Sequence, residues 1–175
     1  MPLATNQTIL RLAAALALTA GLAACGGAEP VDHGPAVDET PAAALSAEQR
    51  QAGAAQATAA LDQHVRDLAS GYTRASGFED RIAPLADSGQ DRWSVTLQEG
   101  VAYRIIAGCD ANCSDVDLYL ENAEGVVVDS DTLVDDYPVV NVTPTAQGRY
   151  TVRTTVFSCG DASACYTATR ILQEQ

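Results

Sequence analysis

Residues 109–140 read CDANCSDVDLYLENAEGVVVDSDTLVDDYPVV, and the organisation of the chain follows from them. Residues 117–121 and 126–129 are two alternating apolar segments, separated by Asn122-Ala123-Glu124-Gly125. A period of two puts successive side chains on opposite faces of a strand, and a glycine supplies the positive φ that a short hairpin loop needs. Cys109 and Cys113 open the stretch, and an acidic segment leads from it into a third strand, residues 139–142. No basic residue lies between Arg104 and Arg149, whereas Asp115, Asp117, Glu121, Asp129, Asp131 and Asp135 all fall within that window.

Outward from this stretch the alternation continues. Residues 92–97 put Trp93, Val95 and Leu97 on one face, and Gln98-Glu99-Gly100 turns the chain into a second strand at 102–107. Residues 149–156 follow the turn signal at 143–148, and residues 166–171 close the set. Seven short strands with regularly spaced turn signals predict an antiparallel β-sandwich. Aromatic residues are few, with Trp93 the only tryptophan, so the core has to be built from Val, Leu, Ile and Ala.

Several of these segments together resemble a known family. Leu97-x-x-Gly100-x-x-Tyr103, then Asp115-Val116-Asp117-Leu118-Tyr119-Leu120, Gly125, and Pro144 with Gly148-x-Tyr150-Thr151-Val152 are similar in order and spacing to the bacterial pre-peptidase C-terminal domain. The resemblance spans residues 90–171 and implies a jelly-roll-like β-sandwich. That family is commonly appended to secreted peptidases and also occurs in non-peptidase surface proteins. This sequence departs from the usual setting in that no peptidase precedes the match, so a role inferred from attachment to a protease lapses.

The beginning of the chain reads MPLATNQTILRLAAALALTAGLAAC, with Arg11 its only charged side chain and an apolar run from Leu12 to Cys25. Such a run is shorter than the about 20 residues a membrane-spanning helix needs, and suits a cleaved export signal. Leu22-Ala23-Ala24-Cys25 resembles the lipobox of bacterial lipoproteins. That resemblance implies cleavage after residue 24, acylation of Cys25 with palmitate or a similar chain, and attachment to the membrane through the N-terminal lipid. Gly26 stands where an Asp commonly retains such lipoproteins at the inner membrane, so the outer membrane of the envelope, on its periplasmic or surface face, is the expected location.

Residues 26–45 are rich in Pro, Gly and acids and lack apolar periodicity, which predicts a disordered tether containing His33. Ser46-Ala47-Glu48-Gln49 reads as a capping box, and the Ala-rich segment after it predicts a helix to about Ser70, with Gly71 as its stop. Ala54, Ala57, Leu61, Val65 and Leu68 form a narrow apolar stripe on that helix. It can pack on the next domain or on a partner. His64 reads as a surface histidine among Asp62, Arg66 and Asp67. The expected organisation is a signal peptide at 1–24, lipidated Cys25 and tether at 25–45, a helix at 46–71, and a sandwich domain at 78–175.

All ten basic residues are Arg, against 23 acids, for a formal charge of −13. A chain so charged repels nucleic acid and anionic surfaces and favours cations or basic partners. Of the five cysteines, Cys25 belongs to the lipobox and the other four are expected to form disulfides in an oxidising compartment. Four cysteines allow three pairings. The short polar segments inside each pair favour Cys109–Cys113 and Cys159–Cys165, with crossed pairing between the two loops as the alternative. A four-thiolate zinc site is disfavoured, because the second spacing is wide and the export signal implies oxidation.

Neither His33 nor His64 belongs to a sandwich strand, where a hydrolase would need a base beside its nucleophile. The one candidate site is acidic. Calcium takes six to eight oxygens, and the open end of a hairpin would bring Asp115, Asp117, Asp129 and Asp131 together to supply some of them. The alternative is that these are solvated turn carboxylates. The expected function is therefore a non-catalytic, lipid-anchored envelope protein presenting a sandwich to a protein or polysaccharide partner. Its rivals are an accessory or chaperone-like subunit of an exported enzyme, docking through the helix, and a hydrolase.

Overall fold

The computed structural model describes residues 45–175. The expected signal peptide, Cys25 and nearly all of the tether lie outside the described residues. The elements are α1 (Ala47–Leu68), β1 (Tyr72–Arg74), β2 (Arg81–Leu85), β3 (Gln90–Leu97), β4 (Tyr103–Cys109), β5 (Val116–Glu121), β6 (Val127–Asp131), β7 (Val139–Val142), β8 (Gly148–Val156) and β9 (Cys165–Glu174). Two antiparallel sheets face each other. One runs β1-β9-β4-β7, with β2 also paired to β9, and the other runs β3-β8-β5-β6. The mainly β sandwich with one preceding helix is the architecture expected from the alternation.

Strands β1 and β2 are additional to the seven expected. Three residues are too few to show a period, and Pro84 in β2 reads as an interruption. Proline is tolerated there because β2 pairs on one side only, with β9, and so needs no donor on its outer edge.

The first sheet is buried on both faces, and its central strands show it in sequence. Ile105 and Ile106 are adjacent and fully buried, Ile105 between the sheets and Ile106 beneath the helix. The inter-sheet core gathers Leu97, Ile105, Val116, Leu118, Leu120, Val140, Val152 and Val156. The second sheet has one solvent face, so β8 alternates: Val152, Thr154 and Val156 are buried while Arg153 and Thr155 are not.

Helix α1 begins as its sequence dictates. The Ser46 hydroxyl accepts from Gln49 N, and the Gln49 side chain accepts from Ser46 N at 2.8 Å. Ala57 and Leu61 bury fully against Ile106, Ala168 and Leu172, with Ala54, Val65 and Leu68 at the margin. Burying a leucine contributes about 2 kcal/mol. The stripe is thus spent on β4 and β9 of the same chain. The approach is close because Gly108 offers no side chain: a Cβ there would come within 3.0 Å of His64 Nδ1 and 3.1 Å of Leu61 N. His64 is therefore not a free surface histidine. It is half-buried, its Nδ1 lies 3.3 Å from the Ala107 carbonyl, and its ring meets Tyr137 edge-on.

Candidate functional site

Antiparallel order puts the β2–β3, β4–β5, β6–β7 and β8–β9 loops at one end of the sandwich, because β2, β4, β6 and β8 all end there and their successors begin there. These loops hold one another. Phe157 N donates to the Asp115 carbonyl at 3.1 Å, Val116 N to the Asp135 carbonyl at 2.9 Å, and Cys159 N to the Asp87 carboxylate. Two of them are closed by disulfides. Cys109 is bonded to Cys113 and Cys159 to Cys165, with Cα separations of 6.2 and 5.4 Å, inside the roughly 4.4–6.8 Å range that a disulfide tolerates.

Asp110 is the buried hub of this end, only 3 % exposed. Its carboxylate accepts from Asn112 N at 3.1 Å and Tyr166 N at 3.1 Å, fixing the disulfide turn to the start of β9. A cleft of about 490 Å³ runs beside it, between α1 and the β8–β9 loop, with Gln49, Gly53 and Tyr166 in its wall.

The four aspartates singled out as a calcium set are not brought together. Register pairs Leu118 with Asp131 and Leu120 with Asp129, and directly opposed residues share a face. Asp129 and Asp131 therefore lie on the side of the core leucines, whereas Asp117 points to the opposite face, where its carboxylate accepts from Tyr119 Oη at 3.1 Å. Strand β6 continues to Asp131, two residues beyond the segment read from sequence, so both aspartates lie within the strand, not in a loop. Each holds the other sheet: Asp131 Oδ2 accepts from Val139 N at 3.0 Å and Asp129 Oδ2 from Asn141 N at 2.7 Å. Asp115 is the one of the four that lies in a loop, just before β5. Burial and then the neighbouring charges of Asp117 and Asp135 push its carboxyl up from the usual range. Among the described residues, no group of three or more His, Cys, Asp or Glu is arranged to hold a metal.

The solvent face of the second sheet carries a charge network. Glu121, 5 % exposed, accepts from Arg153 Nε at 3.0 Å and also pairs with Arg92. The Arg153 hydrogen bond outweighs burial and, with Arg92, pulls the Glu121 carboxyl below its usual range. Arg153 in turn stacks over Tyr119, 3.6 Å from the ring centroid.

The loop end also exposes apolar side chains, which the sequence reading did not single out. Leu133 is 66 % exposed, Val134 88 % and Phe157 73 %. The signal was present: Leu133-Val134 interrupts an otherwise acidic loop, and Phe157 lies immediately beyond the last strand-paired residue, Val156.

The fold is that of a β-sandwich module with a helical outer layer. No family model matches the sequence, and no curated protein matches it. Among solved structures, the pre-peptidase C-terminal domain of a Bacillus anthracis collagenase is similar over 53 % of this chain and 87 % of that one, at 8 % identity and a TM-score of 0.43. A periplasmic inhibitor of g-type lysozyme from Aeromonas hydrophila is similar over 57 % of this chain and 91 % of its own, at 9 % identity and a TM-score of 0.37.

Proposed function

We propose that this chain is an exported bacterial envelope protein, anchored by lipid on Cys25, whose sandwich is a non-catalytic binding module acting through its loop end. The observation that carries the reading is the construction of that end. Two disulfides and a set of inter-loop hydrogen bonds fix loops that nevertheless leave Leu133, Val134 and Phe157 in solvent. Fixed loops with exposed side chains lose little conformational entropy on binding, which is the advantage of a preorganised interface. The anchor reading rests on Leu22-Ala23-Ala24-Cys25 at the end of the apolar run, and Gly26 favours the outer membrane. The apolar stripe of α1 is occupied by β4 and β9, so docking through that stripe does not enter the proposal.

Photocrosslinking in cells tests it. A crosslinking residue at position 157 should capture a discrete envelope partner, whereas one at position 147, in the β7–β8 loop at the opposite end, should not. Equal capture from both positions, or none from 157, would contradict the reading.

A further inference from the structure

We propose that the loop end docks a protein partner whose apolar side chain is ringed by Arg or Lys. The inference rests on the binding-module reading and adds the chemistry of what is bound. Leu133 and Val134 stand on one side of Asp115–Val116 and Phe157 on the other, because Val116 N bonds the Asp135 carbonyl and Phe157 N the Asp115 carbonyl. Large apolar side chains scattered singly over a surface are ordinary, but several gathered on tied loops make a patch that a partner can cover.

Charge decides the partner. The four loops contain Asp87, Asp110, Asp115, Asp135, Asp136 and Asp161 and no Arg, Lys or His. Crowding is felt by Asp115, which burial, the charge of Asp117 at the start of β5 and that of Asp135 in the β6–β7 loop make harder to ionise. A cationic rim on the partner relieves that repulsion while the apolar centre is covered. An anionic bilayer would be repelled by the same carboxylates. A second copy meeting this one face to face would set like charges against each other. A basic rim around an apolar anchor satisfies both features, and its encounter is steered and salt-sensitive.

The test uses the full chain in detergent and a fluorescent peptide with arginines flanking a central Leu-Phe pair. Its counterpart carries glutamates in place of the arginines. Anisotropy should show binding of the arginine peptide only, weakened about tenfold or more by Leu133→Ser with Phe157→Ser. Raising salt from about 50 to about 300 mM should weaken it as well, since screening then acts at a few ångströms. Val127→Ser, exposed on β6, should leave it unchanged. Unchanged binding in the double variant would place the partner on another face and overturn this inference while leaving the module reading standing. Binding of the glutamate peptide, of phosphatidylglycerol vesicles or of a second copy by sedimentation would each overturn it. Failure of the arginine peptide to bind overturns it too; a crosslink from position 157 would then still uphold the module reading, and its absence would end both.

Discussion

Asp129 Oδ2 accepts a hydrogen bond from Asn141 N at 2.7 Å, across the seam between the two sheets. Two residues on, Asp131 Oδ2 does the same for Val139 N at 3.0 Å. Alternate backbone N–H groups of β7 point away from β4, where an edge strand would leave them unpaired, and alternate carboxylates of β6 meet them. The seam is closed by side chains where a barrel would use a strand. Asp129→Ala and Asp131→Ala should each cost about 1–2 kcal/mol, as loss of a charged acceptor for backbone donors does elsewhere. Asn in either place should cost less. Urea unfolding measures the loss, and hydrogen exchange should show the Val139 and Asn141 amides losing protection; wild-type protection in both variants would refute the seam.

The same geometry bears on calcium. With Asp129 and Asp131 committed to β7 and Asp117 on the other face, the four carboxylates offer no common cavity. Replacing chelator by calcium should leave the melting temperature of the chain unchanged. A calcium site filled at a hundredfold excess over its Kd would raise stability by about 2.7 kcal/mol, an effect easily seen.

The hairpin at 122–125 shows what was legible in sequence. Asn122 Oδ1 accepts from Glu124 N and Val126 N, and Gly125 takes a φ of +78°, as an Asn-x-x-Gly turn suggests. The capping box at Ser46 and the stripe through Leu61 were equally readable, because local spacing determines them. The destination of Asp129 was not readable. It depends on where β6 ends and on which strand of the other sheet lies opposite, and both are set by pairing rather than by local pattern. His64 was misread for the same reason, since nothing near it in sequence announces Gly108 and Tyr137. Pro84 hid β2 because the edge position that tolerates it is a property of the assembled sheet.

Acid stability should report on Asp80. Burial alone would raise its carboxyl, but hydrogen bonds and charge from Arg170 and Arg74 outweigh that and hold it at about 2, against an ordinary 3.8. A folded-state value below the unfolded one contributes stability above pH about 4, and that contribution is lost as pH falls towards 2. Asp80→Asn should therefore be less stable than wild type at pH 6 by about 1 kcal/mol, discounted because the Arg74 side chain is 41 % exposed and its pairing is screened by solvent. The gap should close near pH 2. A gap that persists there would show that Asp80 acts through packing instead.

Gly53 stands in the middle of α1, where alanine would ordinarily be preferred by about 1 kcal/mol. Here a Cβ would strike the Tyr166 ring and come within 3.1 Å of Asp110 Oδ2. Gly53→Ala should therefore destabilise the chain, by about 1–3 kcal/mol as overpacking does. A gain in melting temperature would mean that α1 sits further from β9 than described.

The proposed anchor, lipid on Cys25, is tested by metabolic labelling. Cells expressing the wild type and Cys25→Ser are fed labelled palmitate and fractionated. The wild type should take up label and sediment with membranes, while the variant should take up none and leave the membrane fraction. A wild type without label, together with a Cys25→Ser variant that remains membrane-bound, would contradict it.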